Sequence, residues 1–298
     1  MDGNVFSNAY YDFSAMSDPI YYNTSASYDK SVDENHWIYT CWFRTDESVE
    51  LDNGALKLGK LYLKEKDYWY FEIVSSIDIS VGDEVTIYRA TAIKLNGIVH
   101  REPKSKTFAL KIKAGECLAA SRKIPNWWAN GVWKIQKQLY YNLLTCKNGD
   151  ADVFKIDVNG NSAILRCNGS VKLVSLTQLK TRDLSDWHYI AFDFSPRAVN
   201  VILVQSYANT ANKKRTDKVL INTTEQFTMP EFSFDAACID NCEKEFNMTN
   251  IRLYENIAPL GDAYKEDMYS MVTRNASKLI IVDSPNPSNK QSFITKMR

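Results

Sequence analysis

The sequence predicts an all-β chain: a two-sheet sandwich that carries a small inserted β module and ends in one helix. Three observations predict it. Short runs in which apolar and polar residues alternate recur along the 298 residues, the period of half-buried strands. Two Asn-Gly pairs, Asn159-Gly160 and Asn168-Gly169, sit nine residues apart between such runs, and Asn-Gly fits the positive φ angles of a two-residue hairpin turn. Helical spacing is confined to PLGDAYKEDMYSMVTRNASKL, where Tyr264, Met268 and Met271 form one stripe.

From the N-terminus, MDGNVFSNAYYDFSAMSDPIYYN is aromatic without a clear period, so residues 1–17 are taken as an arm and the sandwich as starting at 18. HWIYTCWFRTD predicts a strand with Trp37, Tyr39, Cys41 and Phe43 on one face. The texture changes after Asn53-Gly54. From Leu56 to Ile124 the chain is Lys-rich, and IDISVGDEVTIYRATAIKLNGIVH and TFALKIKAG give three or four short strands with turn signals at Gly82-Asp83 and Asn96-Gly97. Residues 56–124 are therefore a small inserted barrel or sheet, bounded by Asn53-Gly54 and Pro125. IPNWWANGVW then returns the chain to the main body, which occupies residues 18–55 and 125–275.

The centre reads as a meander of strands at 153–158, 162–167 and 170–176. On the first, Phe154, Ile156 and Val158 share a face opposite Lys155 and Asp157. Asp157, Asn159 and Asn161 also match the opening of a calcium loop, but Ser162 and Asn168 stand where its Gly and Glu belong. The hairpin reading is preferred. DWHYIAFDFS carries aromatics on both faces, which predicts a central strand, and Val199, Val201 and Leu203 continue the pattern after Ser195-Pro196-Arg197. The basic run Lys213, Lys214, Arg215 and Lys218 is read as a solvated hairpin tip. FNMTNIRLYENIAP predicts a strand at Asn250 to Tyr254. After the helix, KLIIVD is a β-prone run, followed by a Pro-, Ser- and Asn-rich tail.

The order and spacing of these strands carry a family resemblance. DWHYIAFDFS and, about 64 residues later, NIRLYENIAP resemble the paired signature of laminin G-like, or concanavalin A-like, jelly rolls. HWIYTCWFRTD resembles the early aromatic strand of that family. The resemblance covers roughly residues 18–50 and 130–273. It implies that the NIRLYENIAP strand completes the sandwich beside the N-terminal strand, and that the chain serves in glycan binding, protein adhesion or architecture, in some members with calcium at one rim. No calcium-ligand pair of the family can be matched residue by residue, so no metal is expected.

Composition removes several function classes. The chain holds 36 basic and 36 acidic residues, so the strong positive field of a nucleic-acid binder is not expected. No apolar run approaches the roughly 20 residues needed to span a bilayer, and MDGNVFSNAYYDFS lacks the basic and apolar regions of a signal peptide. Cys41, Cys117, Cys146, Cys167, Cys238 and Cys242 are scattered, which predicts reduced thiols. The C-x3-C pair of Cys238 and Cys242 lacks a second pair to complete a zinc site. Five N-x-S/T sequons, from Asn23 to Asn275, are read as ordinary turns.

Catalytic signals are sparse. No Gly-rich phosphate loop, G-x-S-x-G or H-E-x-x-H occurs. His188, beside Trp187 in a strand, is read as structural. Asp240, Glu243 and Glu245 are the nearest crowd of carboxylates for glycosidase chemistry, which needs two at about 5–9 Å, but they lie in a polar loop without alternating aromatics. Trp127 and Trp128 are candidate glycan-stacking residues, or a wedge between the insertion and the sandwich. Leu279, Ile280, Ile281, Val282 and Phe293 mark residues 276–298 as a candidate assembly arm, expected to pair with the edge of the inserted module or with a neighbouring subunit.

The expected function is that of a non-enzymatic virion structural protein, a bacteriophage tail, baseplate or head-appendage component acting as an assembly or adhesion scaffold. A carbohydrate-binding, lectin-like module, including a host-receptor-binding phage component, is the alternative, and a glycoside hydrolase or lyase the third reading. Expected partners are other virion proteins, copies of the chain itself and host-surface glycan, with no nucleic acid, membrane insertion or cofactor. The expected location is the virion, assembled in the host cytoplasm without a secretory signal.

Overall fold

A computed structural model describes residues 10–29, 36–45, 51–65, 67–89, 93–101, 106–113, 132–138, 140–159, 162–176, 186–208, 215–269 and 278–283. The first strands are β1 (Tyr11–Asp12), β2 (Ile20–Tyr22), β3 (Ala26–Tyr28) and β4 (His36–Thr45). Six follow: β5 (Leu51–Glu65), β6 (Tyr68–Ser75), β7 (Glu84–Arg89), β8 (Ile93–His100), β9 (Phe108–Lys113) and β10 (Trp133–Gln138). Then come β11 (Tyr141–Asn148), β12 (Ala151–Val158), β13 (Ser162–Cys167), β14 (Ser170–Ser175), β15 (Trp187–Phe194) and β16 (Ala198–Ala208). The last are β17 (Arg215–Gln226), β18 (Phe232–Phe234), β19 (Ala236–Ile239), β20 (Phe246–Asn256) and β21 (Lys278–Asp283), with the short helix α1 (Tyr264–Asp267) between β20 and β21. The chain is all-β. It divides into two compact units, Met1–Ser48 with Tyr140–Arg298, and Val49–Leu139.

The first unit is built on two antiparallel sheets. One runs β1-β20-β4-β15-β16-β17, with β21 also on β20, and the other β14-β13-β12-β11-β19-β2. Their facing sides meet through aromatic side chains: Tyr141 stacks on Phe246 at 4.5 Å, and Phe154 meets Phe194 at 5.5 Å and Trp37 at 6.0 Å. Each such ring, when fully buried, contributes roughly 1.5–3 kcal/mol. The Asn-Gly meander forms as the sequence predicts, with Val158 opposite Ala163 and Cys167 opposite Ser170. Asp157 shares the face of Lys155, whose Nζ stands 3.6 Å from it, but is not wet there. It is buried, receiving Arg166 Nη1 at 2.6 Å and Asn142 Nδ2 at 3.0 Å, so the carboxylate at the head of the calcium-like sequence is engaged in protein contacts.

All eight residues of β15 are buried, as aromatics on both of its faces predict. The second core behind it explains why. Ile38 and Trp42 of β4, Tyr189 and Ala191 of β15, and Ile202 and Val204 of β16 are covered by Leu260, Tyr264 and Met268. That cover is short: a 3-10 turn at Gly261–Ala263 runs into α1, and Trp42 Nε1 donates to the Met268 carbonyl at 2.8 Å. Met271 lies outside the described residues.

β20 is longer than the sequence predicts, because a bulge interrupts its register against β4 between Thr249 and Arg252. Asn250 supplies it at φ +52°, a left-handed conformation that Asn tolerates better than most residues. The extra residue changes which side chains face the sheet partner, so Phe246 and Met248 before the bulge and Ile251 and Leu253 after it are all fully buried. Along its other side β20 receives both chain ends in succession, β1 at Asn247–Met248 and β21 at Ile251–Glu255.

The second unit is a closed six-stranded barrel, β10-β5-β6-β9-β8-β7, shut by pairing of β7 with β10. Leu56, Trp69, Phe71, Ile87, Leu110, Ile112, Trp133 and Ile135 fill it. Its bounds are wider than 56–124 because closure uses the flanks: β5 and β10 pair from Leu51 with Gln138 to Leu56 with Trp133. Two expected turns are strand interior instead. Asn53-Gly54 lies within β5 and Asn96-Gly97 within β8. Both glycines answer to crowding: a Cβ on Gly54 would stand 2.5 Å from Ile77 Cγ2, and one on Gly97 2.6 Å from Leu110 Cδ1. Gly82, at φ +92°, is a true turn.

Candidate functional site

The charged groups inside the two-sheet unit are consumed in its own fastening. Arg252 of β20 reaches Asp267 of α1, and Tyr189 donates to the same carboxylate at 2.7 Å. Asp193 accepts the Leu260 backbone N–H at 2.8 Å and meets His36 Nδ1 at 2.6 Å. Asn142 and Asn241 exchange two backbone-to-side-chain bonds at 2.7 Å each. At the chain ends, Asp283 accepts from Tyr11 at 2.7 and 2.8 Å and from Tyr22 at 2.8 Å. Burial pushes the Asp283 carboxyl above the usual carboxylate range, against the opposing pull of those two phenols. These contacts tie strands, cover and termini together.

His188 is wholly buried with its ring stacked 5.6 Å from Phe43, inside the sheet interface and away from solvent. Asp240, Glu243 and Glu245 are exposed on one loop. Asp240 accepts the Cys242 backbone N–H at 3.3 Å, and Glu243, at φ +62°, donates its own N–H to the Phe13 carbonyl at 3.0 Å. The loop thus lies against the turn after β1, where exposed Asp18 joins it. Cys41, Cys146, Cys167, Cys238 and Cys242 are free thiols. Burial, with Asp240 adding to it, pushes Cys242 up to about 11, and burial pushes Cys41 and Cys167 up to about 12. Among the described residues no group of three or more His, Cys, Asp or Glu is arranged to hold a metal ion.

Trp127, Trp128, Phe293 and Cys117 lie outside the described residues, as do Lys213 and Lys214. Leu279, Ile280, Ile281 and Val282 are placed, and they correct the expected pairing. Their strand is placed in its own sheet: β21 pairs antiparallel with β20, Leu253 opposite Ile281 and Arg252 opposite Val282. The physical reason is that β20, beyond the two residues covered by β1, still offers an open edge, and a β-prone run close behind it in sequence fills that edge. Leu279 and Val282 remain 48% and 44% exposed.

Charge separates the two units. Residues 49–139 hold 15 basic and 10 acidic residues, a net +5; with 36 of each in the whole chain, the remainder holds 21 and 26, a net −5. A neutral total hides this. On the barrel, β10, β5 and β6 present an open face. Lys134 lies opposite Ala55, and Lys57 opposite Val74; Val132 immediately precedes Trp133, the partner of Leu56. Ala55, Lys57, Gly59, Glu72 and Lys134 are all exposed, and Val132 and Val74 are 80% and 67% exposed. Small residues keep the middle of this face flat, while two lysines and two valines stand on it. Lys113, exposed as well, lies at the far end of β9, opposite Tyr68. Counting charges segment by segment would have found the asymmetry in the sequence; the face itself depends on a register that composition does not give.

No protein-family model matches the chain, and no curated protein matches it. Among the described residues no helix is long and apolar enough to cross a membrane.

Proposed function

We propose that the protein is a non-enzymatic assembly scaffold that associates with copies of itself, in keeping with a structural part of a virion such as a tail, baseplate or head appendage. The observation that carries the reading is the opposite charge of the two units, +5 on the barrel and −5 on the remainder. Two bodies of opposite sign in one chain make each copy complementary to the next, which favours head-to-tail contact over like-to-like contact. The virion setting rests on the Asn- and Lys-rich composition. The jelly-roll reading of laminin G-like type is supported by the wiring, in which β20, near the end of the chain, lies beside β1 and β4 from its beginning. The inward use of Asp157, Asp193, Asp267 and Asp283 as fasteners fits a building block.

Sedimentation velocity of the purified chain over a range of concentrations and salt tests the reading. Reversible growth beyond the monomer, weakening with salt, is expected. A chain that stays monomeric throughout yet binds one glycan specifically on an array would replace the scaffold with the lectin-like alternative.

A further inference from the structure

We propose that the open β10-β5-β6 face of the barrel docks on the acidic end of the two-sheet unit of a second copy, around Asp18, Glu243 and Glu245; this rests on the assembly reading above. The barrel face has what a protein-binding surface needs. It is flat at Ala55 and Gly59, it holds Val74 and Val132 at 67% and 80% exposure, and Lys57 and Lys134 stand on it with Glu72 as the acidic residue. Valines this exposed lose water-facing apolar surface on contact, which supplies affinity, while the lysines set the sign of the partner.

The chain's own chemistry selects the occupant. Barrel against barrel would bring two surfaces of net +5 together, so a two-fold contact through this face is repulsive. The remainder of a second copy carries −5, and four of its acids come together where the loop of Asp240, Glu243 and Glu245 packs on the turn that carries Asp18. Lys244, the basic residue inside that loop, donates to the Tyr140 carbonyl at 3.3 Å, which leaves the rim acidic. Nucleic acid fits the barrel face less well. Trp69 and Phe71 are buried in the barrel core, Tyr70 on the outer side of β6 is 1% exposed, and Lys111 lies over the half-buried Tyr68 ring at 4.2 Å, so these residues offer the lysines no open aromatic ring, and Glu72 would face phosphate.

A charge exchange tests the interface. One variant reverses the barrel face (Lys57→Glu, Lys134→Glu), a second the acidic end (Asp18→Lys, Glu243→Lys, Glu245→Lys), and sedimentation velocity is run on wild type, each variant and their equimolar mixture. The wild type is expected to associate, its apparent Kd rising at least about tenfold from ~0.05 to ~0.5 M NaCl as screening shortens. Each variant alone should lose at least about tenfold in affinity at low salt, and the mixture should regain it, because each reversed surface then finds its opposite. If the barrel reversal melts early, the neutral set Lys57→Gln, Lys134→Gln takes its place and should weaken association without restoring it in the mixture. A wild type that associates while both reversals leave it unchanged overturns this interface and spares the assembly reading. A wild type that remains monomeric overturns both, and association that appears only on adding single-stranded oligonucleotide makes the face a nucleic-acid surface and overturns the proposal.

Discussion

Arg252 and Asp267 meet as a two-pronged ion pair, Nη1 to Oδ1 at 3.0 Å and Nη2 to Oδ2 at 2.9 Å, with side chains 0% and 7% exposed. The pair joins β20 to the helical cover. Tyr189 and Tyr254 add their hydroxyls to the same carboxylate, and Arg252 Nη2 also holds the Asp267 carbonyl at 2.5 Å. One carboxylate therefore fixes the position of the segment that shuts the second core. A buried pair of this kind adds little over well-packed apolar residues, but breaking it strands a charge.

Asp267→Ala should accordingly cost about 3–5 kcal/mol, because the guanidinium and two buried phenols lose their partner at once. Asp267→Asn keeps two acceptor contacts and should cost less. Replacing both partners, as Arg252→Met with Asp267→Leu, should recover much of the loss. Urea unfolding followed by tryptophan fluorescence reads all three; a loss below ~1 kcal/mol for Asp267→Ala would show that the cover is held by its apolar contacts alone.

Parts of this arrangement were legible in the sequence and parts were not, for identifiable reasons. Alternation within DWHYIAFDFS announced a strand buried on both faces because both residue sets are apolar or aromatic. Asn168-Gly169 announced its hairpin because the turn needs their backbone freedom, and both have positive φ. Asn96-Gly97 misled for the same reason in reverse: Gly97 is glycine to make room for Leu110, not to turn the chain. Tyr264 and Met268 keep helical spacing over the one described turn, Tyr264–Asp267, and Met271 lies outside the described residues. Asp157, Asp267 and Asp283 gave no signal, since a polar residue in a strand or helix reads as wet until its partner, distant in sequence, is known. The barrel face stayed hidden behind a total charge of zero.

Gly97→Ala should destabilise the barrel by about 1–3 kcal/mol, the usual range for forcing a methyl into a packed core. The new Cβ would stand 2.6 and 2.8 Å from two Leu110 carbons and 3.1 Å from the Lys111 carbonyl oxygen, and Leu110 is itself fully buried. Calorimetry should show an earlier barrel transition while the two-sheet unit melts as before. Pairing the change with Leu110→Ala should relieve the clash; a single Gly97→Ala chain that melts like the wild type would mean that Leu110 moves aside freely.

Asp283 makes the docking of β21 sensitive to pH. Tyr11 and Tyr22 face it, and Tyr39 stands electrostatically behind Tyr22. Because burial raises its folded carboxyl above the ordinary value near about 4, the folded state takes up a proton more readily than the unfolded chain. Its contribution is thus fullest below the unfolded value and is lost as pH rises through the folded one. Asp283→Asn removes the titration and keeps an acceptor for the phenols. The melting temperature of Asp283→Asn relative to wild type should be highest near neutrality and fall as the pH is lowered toward about 4. A difference that stays flat with pH would mean that the carboxyl binds its proton equally well in the folded and unfolded chain, so that burial does not raise it.

The last expectation concerns the chain end, and the observed pairing reverses what the sequence implied. A tail that served only a neighbour could be cut after Ala276 without harm to its own fold. Here the cut removes β21 from the edge of β20, and with it Ile281, 3% exposed, and Asp283, the acceptor for Tyr11 and Tyr22. Burying an isoleucine contributes about 1.5–3 kcal/mol, and a buried hydroxyl left without its acceptor costs about 1–3 kcal/mol. Truncation after Ala276 should therefore lower stability by at least about 3 kcal/mol and leave the second half of the β20 edge open to association. Truncation after Ser284 keeps β21 and Asp283, so its monomer should unfold at the wild-type urea concentration. Comparing the two by urea unfolding separates the strand from the residues beyond it: if both cuts left stability unchanged, β21 would not be part of the sheet in solution.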